Sequence, residues 1–145
     1  MIARTLEKRL RQQATKYPVV AVTGPRQSGK TTLVTTSFPD RPYVSLEDPD
    51  TRMLALDDPR GFIESLNAGT IIDEVQRLPD LISYMQTIVD REKIAGRFIV
   101  TGSNQFLLAK HVSQSLAGRI SILKLLPFTL KELCDLRPSR AADYI

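Results

Sequence analysis

Residues 17–23 (Tyr-Pro-Val-Val-Ala-Val-Thr) form a short, continuous apolar run rich in β-branched side chains, and four more runs look like it, at 43–46, 70–73, 97–101 and 120–125. Such runs do not alternate and are too short for helices, so they read as strands covered on both faces. Helical spacing fills the intervals. The first 16 residues form an amphipathic segment whose helix covers 2–16, with Ile2, Leu6, Leu10 and Ala14 on one stripe and Arg4, Lys8 and Arg11 on another. Pro18 stops it. Residues 31–38 follow the first strand. Asp58-Pro59 has the form of an N-cap with a first-turn proline and opens a helix through Leu66. Leu81, Ile82, Met85, Ile88 and Val89 keep helical spacing, residues 105–116 supply the next helix, and Thr129-Leu130-Lys131-Glu132 has capping-box spacing for a short last one. Strands alternating with helices at this interval predict an α/β fold with a parallel sheet and right-handed crossovers. No repeat, low-complexity run or linker divides the chain, so residues 1–145 read as one domain.

Composition narrows the function classes. The chain is 42% hydrophobic and 25% charged, close to an ordinary soluble domain. No stretch approaches the roughly 18 apolar residues of a membrane helix, and the N-terminus has no apolar signal segment, so a cytoplasmic protein without membrane contact is expected. One cysteine, Cys134, and one histidine, His111, argue against a disulfide or a zinc site. Charge is segregated. Residues 1–30 carry seven basic and one acidic side chain, residues 31–90 four and eleven, and residues 91–145 nine and four. The basic N-terminal stripe fits a solvated helix face and also a nucleic-acid contact by counterion release, although no aromatic residues interleave it.

The chemistry is carried by Gly24-Pro25-Arg26-Gln27-Ser28-Gly29-Lys30-Thr31, which matches G-x-x-x-x-G-K-[ST] at every fixed position. It lies where a phosphate loop must, directly after a buried strand and at the start of a helix. Gly24 and Gly29 permit backbone angles and close approach that a Cβ would block, so successive N–H groups form an anion nest. The helix start adds its positive end, the Lys30 ammonium bridges β- and γ-phosphates, and the Thr31 hydroxyl is a ligand for Mg²⁺. For Arg26, a phosphate contact and a solvated loop position both fit.

Asp73 and Glu74 end the strand Thr70-Ile71-Ile72-Asp73. Ligands bind at the carboxyl ends of parallel strands, so this pair is delivered beside the phosphate loop. Asp73 is placed to hold Mg²⁺ through its waters, and Glu74 to orient the water that attacks a γ-phosphorus. After the strand 97–101, Ser103 or Asn104 is placed to contact the γ-phosphate or that water, while an Asn N-cap for the following helix explains the pair equally well.

Together, Gly24 through Thr32, Tyr-Val-Ser-Leu-Glu-Asp-Pro at 43–49, Ile-Ile-Asp-Glu-Val-Gln-Arg-Leu-Pro at 71–79, Phe-Ile-Val-Thr-Gly-Ser-Asn at 98–104 and Ser-Leu-Ala-Gly-Arg at 115–119 resemble AAA-type ATPases of bacteria and archaea. Within that class the chain is similar to the prokaryotic ATP-binding protein family over about residues 5–136. The resemblance implies a three-layer α-β-α P-loop NTPase with a five-stranded sheet in the order 5-1-4-3-2. It also implies a Walker A motif that binds ATP or ADP, a Walker B pair at Asp73 and Glu74, a sensor at the end of strand 4, and an arginine finger at Arg119. Family members usually continue into a helical lid and a nuclease-like C-terminal domain, neither of which can be assigned in these 145 residues.

The expected activity is Mg²⁺-dependent ATP hydrolysis coupled to an unidentified effector. The rivals are a small P-loop kinase and a nucleotide-dependent switch that binds nucleic acid or protein. Arg119 begins the fifth strand, so about five to six residues at about 3.3 Å each separate it from the end of the sheet holding the loop, roughly 16–20 Å. A catalytic Arg119 would therefore serve a neighbouring subunit of a homo-oligomer. The alternative is that Gly118 ends the preceding helix and Arg119 complements its dipole.

Overall fold

A computed structural model describes residues 5–24, 29–107 and 109–125. Its elements in chain order are α1 (Thr5–Gln13), β1 (Val19–Thr23), α2 (Lys30–Ser37), β2 (Tyr43–Ser45), α3 (Pro49–Asp57), α4 (Pro59–Ser65), β3 (Thr70–Asp73), a 3₁₀ turn (Val75–Arg77), α5 (Leu81–Glu92), β4 (Phe98–Gly102), α6 (Asn104–Leu107), α7 (Lys110–Ser115) and β5 (Ile120–Lys124). The five strands form one sheet in the order β2-β3-β4-β1-β5, and every pairing is parallel. This is the 5-1-4-3-2 order that the resemblance implied.

The pleat explains why β1 is apolar from Val19 to Val22. Val19 and Ala21 join Ile72, Phe98 and Val100 in one core with side chains of α4, α5 and α7. Val20 and Val22 face the other way, into a core with Ile71, Ile99, Leu10 and Ala14 of the α1 region, and Leu33 and Val34 of α2. Each strand residue therefore meets a helix layer on whichever side it points. The stripe of Leu6, Leu10 and Ala14 packs as its spacing predicts. On the other face of α1, Arg11 pairs with Glu7 at 2.9 Å, and Lys8 is exposed.

Three local expectations change. Strand 1 starts at Val19 rather than Tyr17, because the Tyr17 N–H still bonds the Gln13 carbonyl at the end of α1 and Pro18 has no N–H. The continuous helix over 105–116 is replaced by α6 and α7, since Ala109 is extended (φ −64°, ψ 147°) and interrupts the ladder. Helix α3 was not expected. It uses the same device as α4: Asp48 and Asp58 each accept a backbone N–H (Asp50 at 3.3 Å, Gly61 at 3.1 Å) ahead of a first-turn proline. The helix expected over 129–132, Cys134, and the first four residues lie outside the described ones. Among the described residues, no helix is long and apolar enough to cross a membrane.

Candidate functional site

The site is built at the carboxyl ends of β1, β3 and β4, with β4 between the other two. Gly24 follows β1 and is buried. Gly29 stands at the N-cap of α2 in the left-handed region (φ 90°, ψ 20°), where a side chain would be strained. Lys30 is only 7% exposed, and its ammonium donates to the Gly24 carbonyl at 2.8 Å, folding the side chain back toward the end of β1. Thr31 points toward β3, and Thr32 is exposed. Pro25, Arg26, Gln27 and Ser28 lie outside the described residues.

Asp73, the last residue of β3, is 6% exposed and collects three hydroxyl donors. Thr31 donates to Oδ1 at 3.0 Å, Thr101 of β4 to the same oxygen at 2.5 Å, and Tyr43 of β2 to Oδ2 at 2.8 Å. A buried carboxylate is costly unless its lone pairs are used, and three neutral donors use them without cancelling its charge. Burial, followed by the bond and charge of Asp73, pushes the Tyr43 phenol up to about 12. At neutral pH Tyr43 therefore stays a donor. The Thr31 hydroxyl and Asp73 carboxylate form a hard-oxygen pair, which suits Mg²⁺, an ion that keeps several waters and takes few protein ligands.

Glu74 lies just beyond β3 with left-handed backbone angles (φ 59°, ψ 51°), one of two non-glycine residues so placed among those described. Its N–H donates to Thr101 Oγ1 at 2.9 Å, which fixes the turn against β4. Its carboxylate accepts from the Gln76 amide at 2.5 Å, and Gln76 Oε1 in turn accepts the Ser103 N–H at 3.1 Å. The Ser103 hydroxyl accepts the Phe106 N–H at 3.3 Å, so Ser103, not Asn104, caps α6. Asn104 is the first residue of that helix.

Lys30, Thr31, Asp73, Glu74 and Ser103 thus belong to one end of the sheet. Arg119 does not. It precedes β5 at the opposite end, where its carbonyl accepts the Val19 N–H at 3.1 Å, and its guanidinium pairs with Asp90 of α5 and donates to the Ala117 carbonyl at 3.0 Å. Gly118 before it, two residues past the helix-capping Leu116, has φ 76°, and the Arg119 N–H closes on the Leu116 carbonyl at 2.8 Å. Sequence reasoning missed Tyr43, Thr101 and Gln76. Thr101 and Tyr43 are polar ends of apolar runs, a weak signal, and Gln76 has none beyond its place two residues after Glu74.

Comparison with known proteins bears on the fold and the family. An uncharacterized protein of Mycobacterium tuberculosis is 38% identical over 138 residues, covering 93% of this chain and 30% of that protein. The chain thus spans about a third of the length of the curated relative it matches. Among solved structures, a Walker-type ATPase of Pyrococcus abyssi superposes with a TM-score of 0.59 at 17% identity, covering 100% of this chain and 59% of the other. AMPPCP-bound DnaA from Aquifex aeolicus gives 0.58 at 14% identity, covering 95% and 49%. These two likenesses establish the P-loop fold. Residues 16–134 match the family described as AAA domain, and with most of its length inside that match the chain belongs to the AAA domain family.

Proposed function

We propose that this domain binds Mg-ATP and hydrolyses it, and that the hydrolysis drives an effector outside these residues. The observation that supports the reading best is the meeting of the Thr31 hydroxyl and the Asp73 carboxylate at 3.0 Å, one residue from Lys30 and one from Glu74. In this reading the backbone N–H groups of Gly24 through Thr32, including Pro25–Ser28 apart from the proline itself, cradle the phosphates. Lys30 leaves the Gly24 carbonyl for the β- and γ-phosphates. Thr31 and Asp73 hold Mg²⁺, which when bound neutralises charge developing on the phosphate oxygens. Glu74 orients a water whose oxygen bonds to the γ-phosphorus while the bond to the β,γ-bridging oxygen breaks. The electron pair stays with ADP, and Glu74 accepts the water's proton. Ser103 and Asn104 sense the γ-phosphate.

Arg119 acts in a neighbouring subunit of a homo-oligomer, since its own loop lies across the sheet; this requires its pair with Asp90 to open. The protein works in the cytoplasm, and nucleic acid is a further candidate partner through the basic α1 region. The test is Glu74→Gln, which keeps the shape but cannot accept the proton. ATP binding by calorimetry should persist while phosphate release falls by roughly 10²–10⁴. Unchanged release contradicts the role of Glu74, and ADP that forms only with a small-molecule acceptor, without matching free phosphate, favours a kinase.

A further inference from the structure

Gln76 is half-buried in the turn after β3 and belongs to neither the phosphate loop nor the carboxylate pair. Its amide is nevertheless used at both ends: Nε2 donates to Glu74 Oε2, and Oε1 accepts from the backbone of Ser103. The partners fix which way the amide points, because a carboxylate only accepts and an N–H only donates. The space for this bridge depends on Gly102. A Cβ there would stand 3.2 Å from Gln76 Oε1, 3.1 Å from Val75 Cγ1 and 3.2 Å from Leu107 Cδ1. The backbone helps from the other side, since the left-handed angles of Glu74 and the 3₁₀ turn behind it double the chain back so that side chains two residues apart meet.

We infer that Gln76 is the positioning residue for Glu74, holding its carboxylate and tying it to the start of α6 through Ser103. This rests on the ATPase reading for what Glu74 does. A glutamate side chain has three rotatable bonds, and its turn lies at the mouth of the site. The bridge removes that freedom without a cation that would quench the carboxylate as an acceptor. It also means that a shift of the β4–α6 connection, where Ser103 meets the γ-phosphate in the proposed mechanism, moves the group that orients the water. Gln76 touches neither water nor nucleotide in this account and acts through Glu74.

Two variants split the bridge. Gln76→Met removes both bonds at similar length. Gln76→Glu keeps an oxygen for Ser103 but turns the donor facing Glu74 into a second carboxylate. In nucleotide-free protein, amide exchange at Ser103 should quicken in Gln76→Met and stay near the parent rate in Gln76→Glu. In steady-state hydrolysis both variants should lose roughly 10- to 100-fold in kcat, the scale of a misplaced catalytic group, with KM and ATP affinity nearly unchanged. In the Glu74→Gln background Gln76→Met should cost almost nothing more, because residues that act as a unit are not additive. Equal losses in both backgrounds, or a parental kcat in Gln76→Met, overturn the inference. A parent that binds ATP but releases no phosphate overturns the ATPase reading instead. The two failures are distinguishable because the Ser103 exchange needs no nucleotide, and unchanged exchange in Gln76→Met overturns the bridge whatever the turnover.

Discussion

The two ends of the sheet treat buried charge in opposite ways. At the amino end, Arg97 is 3% exposed and its donors are spent on protein: Glu92 at 2.9 Å, the Leu66 carbonyl at 2.9 Å and the Asn67 carbonyl at 3.2 Å, with the guanidinium stacked 4.4 Å from the Phe98 ring centroid. Arg41, half-buried beside it, donates to the Gly96 carbonyl at 2.9 Å and stacks 4.4 Å from the Phe38 ring, a tie between elements through a carbonyl rather than an ion pair. At the carboxyl end, the Asp73 carboxylate is bound only by hydroxyls in the bonds described, and Lys30 donates to a carbonyl. Charge matched by charge and by fixed carbonyls is a tie between elements. Charge held by neutral groups that can exchange partners is ready for a ligand of the opposite sign. The difference separates residues that build this domain from those proposed to work in it.

Arg119 is the sharpest way to break that division, because it lies at the structural end and is proposed to act. If it reaches the site of a neighbouring subunit, Arg119→Ala should lower phosphate release by about 10³–10⁵, the scale of a trans arginine. Mixing it with the inactive Lys30→Ala should restore activity, since one subunit supplies the loop and the other the arginine. Full activity of Arg119→Ala alone returns Arg119 to the structural set, where losing a half-exposed pair with Asp90 costs under about 1 kcal/mol.

Arg97→Ala should show the converse. Removing the cation strands two carbonyls and Glu92, which should lower stability by about 3 kcal/mol in urea denaturation. The fraction that remains folded should bind ATP with parental affinity. A specific loss of affinity at full stability would place Arg97 on the working side of the comparison.

How far the sequence reveals this arrangement depends on which contacts are local. The strands stand out because a parallel strand covered on both faces is largely apolar, and their boundaries shift by one residue at β2, β4 and β5 and by two at β1, where Tyr17 remains in the last turn of α1. The sheet order came from resemblance, not from periodicity. Helix α3 escaped notice because only Ala55 is buried while Met53, Leu54 and Leu56 stand exposed, so its apolar residues do not trace a core stripe. The phosphate loop and the Asp73-Glu74 pair are contiguous, and their chemistry is legible from spacing. Tyr43 and Thr101 converge on Asp73 from β2 and β4 and are ordinary residues until the sheet brings them together, whereas Gln76 is local and meets Glu74 only because the left-handed turn doubles the chain back.

Tyr43 should give the smallest effect. Tyr43→Phe removes one of the hydroxyls on Asp73 and should cost about 1 kcal/mol of stability. If that bond also orients the carboxylate, the affinity for Mg-ATP should fall by up to about 10-fold, as for other outer partners of a metal ligand. An unchanged affinity in Tyr43→Phe would leave Thr31 and Thr101 as the hydroxyls that set Asp73.

Calorimetric titration of Lys30→Ala with Mg-ATP decides whether the carboxyl end of the sheet is a nucleotide site whose principal phosphate contact is Lys30. The ammonium bonds only a neutral carbonyl in the contacts described, so its removal should leave circular dichroism and the urea midpoint close to the parent while abolishing measurable binding. Parental affinity in a folded Lys30→Ala protein would contradict the account.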